Sequence, residues 1–214
     1  MPRIVGIFGG TFDPVHNGHV LTISELLEKL PFEKILVIPN FQPPHRESSQ
    51  ASYKHRYEMA SLAFKDIPKT MVDSREYLRE GPSYAIKTVK EVMSEEEGAR
   101  VVMIVGSDSF VEIHSWYKWE ELIKLVDFVI MKRPEIPLSK NKKAKHLVSA
   151  EWFKKDLFED SQLNIVEIEV TPFKISSSSI RENIAKGKKI DHLVNTLVGE
   201  YIKEHGLYGA ESFT

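Results

Sequence analysis

Apolar runs of strand length alternate with amphipathic segments of helix length along most of the chain. Runs such as RIVGIF and RVVMIVG are apolar at nearly every position, which is typical of strands buried on both faces. Segments with apolar residues three or four positions apart indicate helices. The pattern predicts strands at 3–8, 34–39, 70–77, 100–106, 127–133 and 164–170, and helices at 19–30, 53–64, 83–96, 177–186 and 191–205.

This alternation predicts the α/β class: a Rossmann-like, doubly wound and mainly parallel sheet with helices on both faces and two C-terminal helices. The run at 164–170 alternates apolar and polar residues, as a half-exposed or edge strand does. Ligands in this class bind outside the carboxyl ends of the strands, where the strand order reverses. We therefore expect the functional site at that edge of the sheet.

No linker or internal repeat divides the chain, so we expect a single domain over 1–208 and a tail over 209–214. The segment 134–162 contains the lysine-rich run SKNKKAKH and is expected to be a surface excursion. A charge run of this kind is usually a solvated loop. The alternative is that its lysines form a positively charged edge of the binding site and contact a phosphorylated ligand.

Composition narrows the class of protein. The chain has 214 residues, of which 42% are hydrophobic and 28% charged, values that argue against disorder and against a membrane protein. Lys and Arg number 29 and Asp and Glu 31, so the formal net charge is −2 and a nucleic-acid-coating role is not expected.

The chain has no cysteine, which excludes disulfides, thiolate zinc sites and cysteine nucleophiles. The apolar run near the N-terminus is too short for a signal peptide, and no run approaches the roughly 20 residues of a membrane span. We expect a soluble, cytoplasmic protein without membrane or nucleic-acid partners, and the sequence leaves a homo-oligomer open.

The candidate chemistry begins in the segment GIFGGTFDPVHNGHV, where the first strand meets the first helix. Gly9 and Gly10 allow the backbone to approach a ligand closely. His16 and His19 are three residues apart at the helix start, so both rings can face one point. The unsatisfied amides of that helix start favour an anion, and imidazole donors suit phosphate oxygens.

Other functions for this loop fit less well. A GxGxxG dinucleotide fingerprint and a Walker sequence ending in GK[ST] are both missing. A metal pair stays open, although HEXXH is missing and no third ligand lies at a fixed spacing. The loop therefore favours phosphate chemistry.

A second candidate lies near the C-terminus, in ISSSSIR at 175–181. Serines before a helix can cap its amides and offer hydroxyls to an anion, and Arg181 in the first turn could reach phosphates. A plain serine cap with a surface arginine is the alternative. Its pairing with the histidine loop favours the phosphate role.

Both segments resemble the marks of the nucleotidyltransferase superfamily. GGTFDPVHNGH is similar to its (H/T)xGH loop, and ISSSSIR to its ISSTxIR motif. Several further segments resemble the bacterial nicotinate-nucleotide adenylyltransferase family and follow its order over nearly the whole chain. They are IPNFQPPHR, HRYEM, SYAIKT, GSDSF, WYKWEEL, KRP and YIKEHGLY.

The resemblance implies roles for individual residues. Catalytic roles fall to His16, His19 and Arg181, and contacts to ATP or its phosphates to Gly9, Gly10, Thr11, Phe12, His45, Arg46, Gly106, Asp108, Ser176, Ser177 and Ser178. Contacts to nicotinate mononucleotide fall to Ser83, Tyr84, Ala85, Thr88, Trp116, Tyr117 and Arg133. Trp116 can stack on a pyridine ring, although tryptophan is more often a core residue.

One position departs from the family. Its SYT threonine is Ala85 here, which removes a hydroxyl that the resemblance places near the pyridine substituent. A lost hydrogen bond to a carboxylate could cost about 1 to 3 kcal/mol. Ser83, Tyr84, Thr88 or backbone amides could compensate.

The expected reaction is adenylyl transfer from ATP to the 5′-phosphate of nicotinate mononucleotide, giving deamido-NAD and pyrophosphate. Mg²⁺ is the implied cofactor, held mainly by ATP and not by the protein. The alternatives are adenylyl transfer to nicotinamide mononucleotide or phosphopantetheine, and a non-catalytic nucleotide-binding module.

Overall fold

The computed structural model of the chain describes residues 3–43, 49–79, 81–132 and 165–210. The strands are β1 (Arg3–Gly10), β2 (Lys34–Pro39), β3 (Thr70–Val72), β4 (Ala99–Gly106), β5 (Asp127–Lys132) and β6 (Ile165–Glu169). The α-helices are α1 (Asn17–Lys29), α2 (Tyr53–Phe64), α3 (Arg75–Leu78), α4 (Ala85–Glu95), α5 (Ser107–Phe110), α6 (Trp119–Leu122), α7 (Ser177–Ala185) and α8 (Thr196–Glu204).

The six strands form one sheet in the order β3-β2-β1-β4-β5-β6, and every neighbouring pair is parallel. The doubly wound α/β prediction is confirmed, and β6 is an edge strand as its alternating pattern predicts. The chain adds strands outward from β1 in one direction and then, from β4, in the other. The strand order therefore reverses between β1 and β4, where this class of fold opens a ligand crevice.

Hydrophobic side chains cover both faces of the sheet, as continuous apolar strands require. In β1, Ile4 and Phe8 belong to the core that α1, α2, α7 and α8 share. Val5 and Ile7 belong to the second core, under α4, α5 and α6. Strand alternation thus sends successive residues of one strand into two separate cores.

The predicted strand over 70–77 is wrong beyond Val72, where β3 ends. Asp73 accepts a hydrogen bond from the Arg75 backbone N–H at 2.8 Å and pairs with its guanidinium, which turns the chain into the one-turn helix α3. Short polar side chains that bond nearby amides compete with a sheet ladder in this way. A strand pattern does not show that competition.

The last predicted helix begins later than its apolar pattern indicates. Its predicted start was 191, whereas α8 begins at Thr196 because Asn195 caps it, accepting the Leu197 N–H at 2.9 Å. The excursion predicted at 134–162 lies outside the described residues. The tail predicted at 209–214 is described only to residue 210. Among the described helices, none is both long and apolar enough to cross a membrane.

The buried carboxylate of Asp13 joins three distant parts of the chain. Its Oδ1 accepts from the Ala51 N–H at 3.1 Å and from the Tyr208 hydroxyl at 2.8 Å, and its Oδ2 accepts from the Gln50 N–H at 2.8 Å. Burial, followed by the negative charge of Asp13, raises the pKa of Tyr208. The phenol therefore stays a donor, and it holds the C-terminal segment against the loop after β1.

A second buried charge pair joins the beginnings of β4 and β5. Arg100 donates from Nε and Nη2 to the two carboxylate oxygens of Asp127, at 2.6 and 2.8 Å, and Asp127 is fully buried. A buried carboxylate depends on such partners, because no bulk water can replace them.

We expect Tyr208→Phe to lower the free energy of unfolding by about 2 kcal/mol, because it removes a hydrogen bond to a buried charged group. Urea denaturation followed by circular dichroism measures the change. Tyr117→Phe is the matched control, since Tyr117 is 47% exposed. Equal stability of the two variants would contradict a stabilising role for the Tyr208–Asp13 bond.

We expect Arg100→Met to cost about 3 kcal/mol of unfolding free energy, because Asp127 then stays buried without its bidentate partner. Arg3→Met is the control: Arg3 forms ion pairs with a side chain 49% exposed, and water screens such surface pairs, so they contribute little. A cost for Arg100→Met as small as that of the control would argue against the pair as a stabilising contact.

Candidate active site

A cleft of about 1150 Å³ opens at the carboxyl ends of β1 and β4, at the reversal of strand order. Every predicted site residue within the described ranges lines it: Gly9, Gly10, Thr11, Phe12, His16, His19, Ser83, Tyr84, Ala85, Thr88, Gly106, Asp108, Trp116, Tyr117, Ser176, Ser177, Ser178 and Arg181. His45, Arg46 and Arg133 lie outside the described residues.

The two histidines of the predicted phosphate site stack at the start of α1. The ring centroids of His16 and His19 are 3.7 Å apart and the ring planes are inclined by 22°. The backbone N–H of His16 donates to Nδ1 of His19 at 3.2 Å. Since Nδ1 accepts, the neutral ring of His19 carries its proton on Nε2. His19 is therefore oriented as a donor at the cleft wall.

Two glycines make room for this arrangement. A Cβ on Gly18 would lie 3.1 Å from Nδ1 of His16, and one on Gly10 would lie 2.7 Å from the ring of Phe12. Phe12 itself has a left-handed backbone, with φ of 51°, and its ring meets His19 edge-on at 5.1 Å. The buried Phe12, held in a strained backbone conformation, thus packs against the His19 ring and helps to fix its position.

The serine-rich start of α7 is bonded directly to the histidine loop. Arg181 Nη1 donates to the carbonyl oxygen of Asp13 at 2.6 Å, and the Ser177 hydroxyl donates to that of Pro14 at 2.9 Å. Ser176 caps the helix, accepting the Ser179 N–H at 3.1 Å. These bonds bring the two motifs, more than 160 residues apart in sequence, to one wall of the cleft.

Two of the serine hydroxyls on this wall have structural partners, which changes what they offer a ligand. The Ser176 and Ser177 hydroxyls serve the helix cap and the loop, whereas Ser178 is exposed and lies 3.4 Å from Arg181 Nη2. In the first turns, the N–H groups of Asn17, His19 and Ser179 are already bonded to Leu193, His16 and Ser176, so the amides left to face a ligand are those between them at each helix start. This end of the cleft can therefore bind an anion through amides, imidazole, hydroxyl and guanidinium groups together.

The opposite end of the cleft is aromatic. Tyr84 stacks on Tyr117 with centroids 4.3 Å apart, and the half-buried Trp116 lines the cleft beside them. Ala85 begins α4, and the side chain of the preceding Tyr84 does not cap that helix. A flat heterocycle could stack here with its substituent near the amides of the helix start.

Two hydroxyls predicted to bind the second substrate are used by the protein itself. Ser83 Oγ accepts from the backbone N–H groups of Phe41 and Gln42, at 3.0 and 2.9 Å. Thr88 is buried and donates to Glu76 Oε1 at 2.7 Å. Both residues line the cleft, but their hydroxyls hold neighbouring segments of the protein together.

The acidic residue predicted to follow the end of β4, Asp108, lies in the cleft. β4 ends at Gly106, and Asp108 follows in the short helix α5, half-buried at the cleft wall. The position is the strand-end position at which α/β proteins bind ligands.

Sequence reasoning missed charged residues that build or line the site: Asp13, Arg56, Glu76, Lys132 and Lys174. Arg56 is fully buried, and its Nη1 donates to the carbonyl oxygen of Thr11 at 2.7 Å. Burial lowers the pKa of Arg56 and the charge of Asp13 acts against that shift. The HRYEM segment contains this arginine, but a helical pattern does not reveal that a charged residue points inward.

Among the described residues, no group of three or more His, Asp or Glu side chains is placed to hold a metal ion. Two acidic residues at the cleft are bonded within the protein: Asp13 accepts three hydrogen bonds and Glu76 accepts two. These two carboxylates are therefore engaged by the protein and are not arranged as metal ligands.

Solved structures share this fold. A nicotinic acid mononucleotide adenylyltransferase of Plasmodium falciparum, complexed with NaAD, superposes with a TM-score of 0.73 at 18% identity, over 96% of this chain and 97% of that one. The same protein complexed with APC gives 0.72 at 18% identity and the same coverage. At this identity the likeness shows the fold alone.

Sequence relatives are closer. The family model for cytidylyltransferase-like proteins matches residues 7–183. A "probable nicotinate-nucleotide adenylyltransferase" of Hydrogenovibrio crunogenus is 34% identical over 206 residues, 96% of this chain and 98% of its own. One of the same name from a Marinomonas species is 36% identical over 216 residues, 95% of this chain and 94% of its own. The chain therefore belongs to the cytidylyltransferase-like family and, within it, to the nicotinate-nucleotide adenylyltransferases.

Proposed function

We propose that the protein transfers the adenylyl group of ATP to the 5′-phosphate of nicotinate mononucleotide, producing deamido-NAD and pyrophosphate in NAD biosynthesis. The names of the sequence relatives support this function. The single observation that carries it is the convergence of the histidine loop and the serine-rich helix start on one cleft wall, through the bonds of Arg181 and Ser177.

The chemistry is a direct in-line displacement. An oxygen of the 5′-phosphate attacks the α-phosphorus of ATP, the bond from that phosphorus to the bridging oxygen breaks, and pyrophosphate leaves with the electron pair. No covalent adenylyl-enzyme is needed. Positioning and charge neutralisation can supply most of the acceleration of such a transfer.

The histidine end carries the charge that develops during the reaction. His19 donates from Nε2 to the α–β bridging oxygen as its negative charge grows, and the stacked His16 ring holds the phosphates beside it. Arg181, Ser178 and the first amides of α7 bind the β- and γ-phosphates. Gly9, Gly10 and Thr11 give the nucleotide a close approach to the backbone.

Mg²⁺ belongs to the proposal as a companion of ATP, bound mainly by phosphate and water oxygens, and it neutralises triphosphate charge. The loop residues His45 and Arg46 and the residue Arg133 keep their proposed roles as substrate contacts. We also propose that residues 1–208 form a single domain and that the protein is located in the cytoplasm.

The aromatic end distinguishes the proposed acceptor from its rivals. Tyr84, Tyr117 and Trp116 offer planar surfaces to a pyridine ring. Phosphopantetheine has no ring to stack there, and a non-catalytic nucleotide-binding module would need neither the oriented His19 nor this second subsite. The aromatic surfaces therefore favour a pyridine nucleotide.

We expect His19→Ala to lower kcat by about a hundred- to a thousandfold, because it removes a donor to the oxygen on which charge develops. Pyrophosphate release with ATP, Mg²⁺ and nicotinate mononucleotide measures the rate. The control is His205→Ala, which should keep normal turnover. His205 is exposed and lies at the C-terminal end of α8, outside the residues that line the cleft. Near-normal turnover of His19→Ala would overturn the assignment.

We expect pyrophosphate release to be faster with nicotinate mononucleotide than with nicotinamide mononucleotide, and phosphopantetheine to be inert. Ala85→Thr should increase the preference for the nicotinate form by about tenfold, because it restores a hydroxyl for the carboxylate. Activity with phosphopantetheine alone, or ATP binding without pyrophosphate release from any acceptor, would contradict the proposed function.

A further inference from the structure

We propose that Arg79, which lies behind the cleft wall, determines the preference for an anionic over a neutral pyridine nucleotide by neutralising the buried carboxylate of Glu76. The inference rests on the proposed function and concerns the aromatic end of the same cleft. Glu76 would otherwise place an uncompensated negative charge near the carboxylate of the bound substrate.

Glu76 lies at the aromatic end. It lines the cleft together with Ser83, Tyr84, Ala85 and Thr88, and it is only 5% exposed. Its Oε1 accepts from the Thr88 hydroxyl at 2.7 Å, and its Oε2 accepts from the Phe41 N–H at 3.4 Å. Both donors are neutral, so neither cancels the charge.

Arg79 is the cation nearest to this carboxylate among the contacts of the described residues. Its Nη2 lies 3.8 Å from Glu76 Oε1 and donates to Thr88 Oγ1 at 3.1 Å. Its Nη1 donates at 2.9 Å to Glu91, whose side chain is 33% exposed. Arg79 does not line the cleft, and its side chain is 14% exposed. It does not contact a ligand in the cleft directly, and Glu76 and Thr88 are the cleft-lining residues that it contacts.

The energetic argument follows from burial. A charge at a position so little exposed is weakly screened by water and acts over several ångströms. The amides at the start of α4 favour a substrate anion, whereas an unneutralised Glu76 would oppose it by like-charge repulsion. Nicotinate and nicotinamide differ at this end chiefly in one negative charge. The state of the Glu76–Arg79 pair therefore shifts their relative binding.

Of the other charges near Glu76, Arg56 is buried and interacts with Asp13 more strongly than with Glu76, whereas Lys87 and Glu112 are exposed. Lys87 Nζ lies 5.6 Å from the ring centroid of Tyr84, and Glu112 lines the cleft wall near Trp116. Both side chains are exposed, so water and salt screen them. The buried pair is the stronger determinant.

The test compares kcat/KM for nicotinate and nicotinamide mononucleotide, with ATP and Mg²⁺, in full-length variants. Arg79→Met should lower the nicotinate-to-nicotinamide ratio by about tenfold, mainly through KM for the nicotinate form. Arg79→Lys keeps the positive charge and should retain most of the ratio. Arg79→Met combined with Glu76→Gln should restore it, because the repelling charge is gone.

Two further variants separate selectivity from folding. Arg75→Met is the matched control: Arg75 lies on the same helix and pairs with Asp73 and Glu95, away from Glu76, so the ratio should not change. Glu76→Gln alone leaves Arg79 in place and should raise the ratio, which provides a test of opposite sign if Arg79→Met folds poorly.

The outcomes distinguish this inference from the proposed function. An unchanged ratio in Arg79→Met and Glu76→Gln, or equal losses with both nucleotides, would overturn the inference and leave a purely structural pair. A wild-type protein that releases no pyrophosphate with either nucleotide would overturn the proposed function itself. The nicotinate-to-nicotinamide ratio of kcat/KM tests the inference about Arg79, and the rate of the wild-type protein tests the proposed function.

Discussion

The site depends on one buried carboxylate, that of Asp13. It accepts hydrogen bonds from the backbone of Gln50 and Ala51 and from Tyr208, near the end of the described chain. The backbone carbonyl oxygen of Asp13 accepts a hydrogen bond from Arg181. A carboxylate out of water must be fully bonded, so each of these partners is held where the carboxylate requires it. The loop after β1, the segment before α2, the start of α7 and the C-terminal turn are thereby fixed to one another.

The parallel sheet then divides the cleft into two chemically distinct ends. At the carboxyl end of β1, histidine, arginine and helix amides form the polar surface at which we propose that the phosphates bind. Beyond β4, the start of α4 and the segment after α5 provide Tyr84, Tyr117 and Trp116 for a flat ring. A pyridine mononucleotide has a phosphate at one end and a ring at the other. Both ends are built on the carboxyl ends of strands of one sheet, which holds them at a fixed separation.

Local patterns predicted most elements because burial on both faces leaves an unambiguous apolar run. β2 and α2 match their predicted bounds, and the prediction failed where a polar side chain redirected the backbone, as at Asp73. The predicted site residues within the described ranges all line one cleft. The roles of Ser83 and Thr88 were not predictable, since their bonding partners come from the loop after β2 and from α3. Tyr208 and Arg56 lay inside the family-like segments, yet no local signal showed that they point inward.

The sequence by itself determined the class of fold, because the alternation of apolar strands and amphipathic helices runs along the whole chain. It also indicated the family, through the resemblance of the histidine loop, the serine-rich segment and the segments between them to known motifs. The tertiary structure decided which polar groups remain for a ligand. Ser176 and Ser177 serve the fold, whereas Ser178 is exposed. It also decided that Glu76 and Arg79 meet behind the aromatic end of the cleft. Hydrogen bonds and buried charges depend on distances of a few ångströms between distant residues, and those distances exist only once the sheet has assembled.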